Sequence, residues 1–186
     1  MSIRHYAWIA ILGLAAHTAA QTSPGTLTTI LDFDTTPFSL PKTGVAIGPG
    51  GVLYGTAPFP PGYAVYSLTP PSASGGSWTY ATLYQVTGTE RSQTVTSAPG
   101  LAIDQNGVIY GATNRIVDTA CTSQTCGWIF SLTPPAAPGG SWTETTLYTF
   151  TGGADGTGPE AGVTTGKGGI LYGTALRGPG SGSVLH

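Results

Sequence analysis

The octapeptide GGVLYGTA occupies residues 50–57. It is written twice more, as NGVIYGAT at 106–113 and GGILYGTA at 168–175. The match extends backwards: GVAIGPGGVLYGTA starts at Gly44, GLAIDQNGVIYGAT at Gly100 and GVTTGKGGILYGTA at Gly162. A second block repeats as well, AVYSLTPPSASGGSWTYATLYQV at 64–86 and WIFSLTPPAAPGGSWTETTLYTF at 128–150. Self-similarity at a spacing of this size marks a solenoid, a propeller or an array, one supersecondary unit written several times.

Each unit reads as four strands. A short strand (GVAI, GLAI, GVTT) meets a turn (GPGG, DQNG, GKGG). Asn106-Gly107 is the strongest of these turns, because both residues accept the positive φ of a two-residue hairpin. The YG strand follows, and after a variable loop comes AVYSLTP or WIFSLTP. Pro70-Pro71 and Pro134-Pro135 end that strand, since proline cannot donate to a ladder. Glycines make the next turn, and SWTYATLYQV or SWTETTLYTF is the fourth strand, with Trp142, Tyr148 and Phe150 on one side. The middle strands are almost continuously apolar or small, as in sheets buried on both faces. Gly55, Gly111 and Gly173 fall inside a strand, where a glycine marks a bulge or a close backbone approach.

The expectation is an all-β fold of antiparallel four-stranded repeats, β-propeller-like blades. About three are present, with units at 26–86, 87–150 and 151–186. TLTTILDF at 26–33 matches TETTLYTF at 143–150, so it could serve as the fourth strand of the last unit, giving twelve strands in all. Closed propellers use four to eight blades. The chain is therefore expected to be part of a longer array or to assemble with further copies into a larger ring.

Residues 1–20 read as a signal peptide. Arg4 and His5 precede the apolar run YAWIAILGLAA, and Thr18 and Ala20 are the small residues before a cut between Ala20 and Gln21. The run is shorter than the ~20 residues that span a bilayer. Residues 21–186 are long enough for one repeat domain with a core. Only 8% of the chain is charged and the net charge is −2. No Lys/Arg cluster supplies the basic footprint of a nucleic-acid partner, and no later stretch spans a membrane.

These residues resemble the GloVer tandem repeat of secreted, choice-of-anchor bacterial proteins. The third unit carries the pattern best: LYTFTGGADGTGPEAGV, then GGILYGTA, then GSGSV. The second keeps NGVIYGAT and GWIFSLTPP but has TGTERSQTVTSAP where Asp-Gly belongs, and the first is most degenerate before Gly44. The resemblance implies an extracellular, surface-associated repeat protein and brings no catalytic residues.

The chemistry-bearing residues are sparse. The histidines are His5, His17 and His186, so the interior has no general base of a Ser-His-Asp type and no histidine ligand for zinc. Cys121 and Cys126 are the only cysteines, and a close pair in a secreted chain reads as a disulfide. Asp104, Asp155 and Glu160 could supply a glycosidase pair, but their setting reads as turn chemistry; Asp155 is the sharper candidate for a weak calcium ligand. Tyr54, Tyr110 and Tyr172, like Trp78 and Trp142, read as a repeated packing layer. Phe59, Tyr63 and Trp128 read as loop aromatics and hence candidate ligand contacts. No cofactor and no metal are expected. The functional expectation is a secreted or cell-surface binding or structural module, not an enzyme, with glycans, cell-surface components or its own copies as partners. The alternatives are a carbohydrate-binding, lectin-like propeller and a fragment of an extracellular polysaccharide hydrolase or lyase.

Overall fold

The structure, a computed structural model, describes residues 27–33, 41, 43–59, 62–85, 100–116, 126–159, 161–176 and 183–185. Among them there is no α-helix, and none that is long and apolar enough to cross a membrane. The expected signal segment 1–20 and Cys121 lie outside the described residues.

The fold is all-β, three antiparallel sheets in chain order. The first runs β1 (Ala46–Ile47), β2 (Leu53–Phe59), β3 (Gly62–Thr69), β4 (Thr79–Gln85). The second runs β5 (Ala102–Ile103), β6 (Ile109–Ile116), β7 (Cys126–Thr133), β8 (Thr143–Thr149). The third holds β10 (Thr164–Thr165), β11 (Leu171–Leu176) and β12 (Ser183–Leu185), with β9 (Thr157–Pro159) also paired to β11.

The repeat survives as register. Tyr54 faces Ala46, Tyr110 faces Ala102 and Tyr172 faces Thr164. Across the next ladder Gly55 faces Tyr66, Gly111 faces Phe130 and Gly173 faces Leu185. Even an irregularity is copied: the β3–β4 ladder shifts between Val65 and Tyr66, and the β7–β8 ladder between Ile129 and Phe130. The bulged residue is Leu83 in one and Leu147 in the other, so Leu83 and Tyr84 together oppose Val65.

The turns explain the glycines. Gly48, Asp104 and Gly166 each donate their N–H to the carbonyl four residues on, at 2.8, 3.0 and 2.7 Å. Three residues therefore lie between the closing pair, not the two expected at Asn106-Gly107. Gly107 has φ +78°, as Gly51 and Gly169 have +74° and +81°. In the second unit Asp104 adds its own bonds, Oδ1 accepting from the N–H of Asn106 and of Val108 at 2.9 Å.

β3 and β7 are buried on both faces, as their apolar runs require. Val65 and Tyr63 face the second sheet, where they meet Ile109, Trp128, Phe130 and Leu132. Ala64, Tyr66 and Leu68 face the other way and pack with Leu53, Ala57 and Phe33. Phe33 meets Tyr66 edge-on at 5.3 Å. The segment 27–33 is not a strand; among the described residues the twelfth strand is β9 instead. Residues 27–33 nonetheless seat Ile30, Leu31 and Phe33 on the first sheet. Proline in β9 is consistent with an outer position on its ladder. At the opposite rim the first strands converge, β1 against β5 and β5 against β10. A Cβ on Gly162 would collide with the backbone of Gly100.

Candidate functional site

The second and third sheets do not close on each other as the first and second do. Between them lies an apolar cleft of about 550 Å³. Ile129 of β7 and Leu147 and Tyr148 of β8 line one wall; Val163, Ile170 and Leu171 line the other. Leu171 is equivalent to Leu53 and Ile109, which are fully buried, yet it is only half-buried. Leu147, Tyr148 and Ile170 are exposed.

The described surroundings of the strand glycines differ as well. In the first two sheets the strand glycine is covered by a ring: a Cβ on Gly55 would strike Tyr66, and one on Gly111 would strike Phe130. Over Gly173 the nearest described atom is Val163 Cγ1 at 3.5 Å, an ordinary contact.

One carboxylate sits beside the cleft, and its lone pairs are occupied. Asp155 Oδ2 accepts from Tyr148 Oη at 2.9 Å and from the Thr151 N–H at 2.8 Å. Oδ1 accepts from Thr151 Oγ1 at 2.7 Å and the Gly153 N–H at 3.2 Å. Burial pushes its pKa up, but the Thr151 and Tyr148 bonds outweigh it and hold the carboxyl below its ordinary value. The Tyr148 hydroxyl is pushed up in turn, first by that bond, then by burial and the nearby charge. A carboxylate with four such bonds is a turn lock, and it has no lone pair left for a calcium ion.

A second, more polar groove of about 450 Å³ lies between the Asp104–Asn106 turn with Tyr110 and the Gly166–Gly169 turn. Tyr110 Oη donates to Asp104 Oδ2 at 3.3 Å. Burial, then the Asp104 charge and bond, push that phenol up. Glu160 lies outside the described residues. Asp104 and Asp155 each serve their own turn, and among the described residues no group of three or more His, Cys, Asp or Glu is placed to hold a metal.

The aromatic candidates require correction in their placement. Tyr63 and Trp128 are strand residues of β3 and β7, 2% and 1% exposed, and form the core between the first two sheets. A ring so enclosed has no face left for a ligand. Phe59 closes β2, half-buried against the cluster under the first sheet. Cys126 begins β7, 1% exposed and not a free thiol; with Cys121 outside the described residues, the pairing of the two stays a proposal. The cleft residues Leu147 and Ile170 were not singled out by the sequence. The signal for Leu147 was its match to Leu83, once the fourth strands are superposed. Comparison with family models, with curated proteins and with solved structures gave no match.

Proposed function

We propose that this chain is a non-catalytic binding or structural module working outside the cell, built of propeller-like blades of the GloVer repeat type. The observation that carries this reading is the single register kept by three sheets, from the Tyr54, Tyr110 and Tyr172 pairings to the copied bulge. Convergence of β1, β5 and β10 at one rim supports blades arranged around an axis. The carboxylates support it from the other side, because Asp104 and Asp155 are spent on turns. The Cys121–Cys126 disulfide belongs to this reading as a clip on the loop before β7, in keeping with an oxidising compartment.

The test is export followed by a binding and turnover screen. Secreted protein should begin at Gln21, and non-reducing peptide mapping should link Cys121 to Cys126. Incubation with polysaccharides and aryl glycosides should release no product. Turnover on any of them overturns the reading, and selective retention on a glycan array redirects it to a lectin.

A further inference from the structure

We propose that the chain stacks head to tail on a second copy of itself. The third sheet of one copy receives residues 27–33 and the first sheet of the next, through the same contact that joins the first and second sheets within a copy. The proposal rests on the blade reading above and adds the partner, the direction and the residues.

The segment 27–33 already behaves as a fourth strand that belongs to another sheet. TLTTILDF aligns with TETTLYTF, so Ile30, Leu31 and Phe33 correspond to Leu147, Tyr148 and Phe150, and through the repeat Ile30 and Leu31 correspond to Leu83 and Tyr84. Leu83 and Tyr84 pack forward onto the second sheet. Ile30 and Leu31 pack forward onto the first sheet in the same way. Phe150 packs forward to Ala175 of the third sheet, and Phe33 packs with the equivalent Ala57 of the first. Thus 27–33 occupies the place of a fourth strand ahead of the first sheet. In the third sheet the far edge of β12 carries no strand among the described residues.

The exposed apolar side chains match this join. At the internal contact Tyr54 of the first sheet and Ile103 of the second belong to one cluster. The next step of that series is Tyr110 with Thr165, which line the polar groove; the one after is Tyr172, 41% exposed on the third sheet at the margin of the cleft, with Ile47, 67% exposed on the first. Stacking two copies puts Tyr172 of one on Ile47 of the other. The fourth-strand position of Glu144, which accepts from Tyr84 Oη at 2.9 Å across the first two sheets, corresponds to Leu27. Leu27 is exposed, and its counterpart across the join is the exposed Tyr148 in the cleft. Such a contact is heterologous: it closes into a ring or runs on as a filament.

Sedimentation velocity on the purified chain, with Ile47→Glu, Tyr172→Glu and their equimolar mixture, tests it. Far-UV circular dichroism confirms that each variant keeps its strands. The wild-type chain should self-associate. Each variant alone should associate at least about tenfold more weakly, since a charge replaces a buried apolar contact. The mixture should recover a two-copy species, because the intact Tyr172 of one variant meets the intact Ile47 of the other. A wild-type monomer with intact strands, association that survives either substitution, or a mixture that recovers nothing each overturns the proposal. None of these results touches the non-catalytic reading, which stands or falls on turnover.

Discussion

The contact between the first and second sheets and the contact between the second and third start from equivalent positions and end differently. In the first, Tyr63 reaches Phe130 at a ring separation of 6.1 Å, Trp128 is enclosed, and Tyr84 ties to Glu144. In the second, Ile129 takes the place of Val65 and Leu147 and Tyr148 take those of Leu83 and Tyr84, yet a cleft remains. The forward wall is the same only in part: Tyr63 of the first sheet has Gly127 at its place in the second, where a Cβ would strike Thr113 and Pro159. The opposing walls differ as well: the second sheet presents Trp128, Phe130, Leu132 and Trp142, whereas the third lines its cleft with Val163, Ile170, Leu171 and Gly173. Closure therefore follows what both walls offer: the closed contact has Tyr63 on one side and Trp128 and Phe130 on the other, and the open one has Gly127 at the place of Tyr63.

The largest effect should come from the closed contact. Trp128→Ala should cost about 3–5 kcal/mol in chemical denaturation, as cavities in packed cores do. Leu147→Ala in the open cleft should cost less than about 1 kcal/mol, because its side chain is 46% exposed. Equal losses would remove the distinction between the two contacts.

The strand glycines should show the same contrast at smaller scale. Gly111→Val should destabilise by about 1–3 kcal/mol by driving a side chain into Phe130. Gly173→Ala should change the midpoint by less than about 0.5 kcal/mol. Gly107→Val has open space around it and φ of +78°, so its cost, about 1 kcal/mol or more, is backbone strain alone.

Asp155 gives a pH signature at the open side. Its folded pKa is depressed, so the bonds it makes stabilise the turn above the ordinary carboxylate value and are lost as pH falls through the lower, folded one. Carboxyl NMR should place its midpoint below 3.8. Asp155→Asn should loosen the 151–155 turn and leave the enclosed contact of Trp128 unchanged.

The smallest expected effect is a gain. The Tyr66 hydroxyl is buried under Gly55, with no hydrogen-bond partner among the described residues, and burial together with Tyr80 pushes its pKa up. Phe130 fills the equivalent place without a hydroxyl. Tyr66→Phe should leave stability unchanged or raise it by up to about 1 kcal/mol.

The hairpin frame was legible in the sequence because its signals are local. A glycine at positive φ, an apolar pair and a Tyr-Gly step need no distant partner to specify them. Loop length was misjudged by one residue at 105–107, because Asn-Gly chemistry permits both a two- and a three-residue turn and only the closing bond from Asp104 to Val108 decides. Tyr63 and Trp128 were misplaced for another reason. Each lies near the end of a variable loop, and local sequence cannot say that the ladder continues through Ala57–Ala64 and Thr113–Trp128. The strand β9 was invisible, since Gly158 and Pro159 disfavour a strand and outweigh Thr157. The cleft could be read only by superposing units and asking which side chains have lost their opposite number.

The copied bulge sets a taper. By turning Leu83 as well as Tyr84 toward the following sheet, it adds a layer of side chain at the outer strand, while glycine backbones touch at the inner rim at 100 and 162. In the proposed blade arrangement the first two sheets are thus thin at one margin and thick at the other, shaped like the stone of an arch. Deleting Leu83 would leave every other pairing of β3 with β4 in place and narrow the thick margin. On the proposed blade arrangement, neighbouring sheets would then lie closer to parallel, and more of them would be needed to complete a turn.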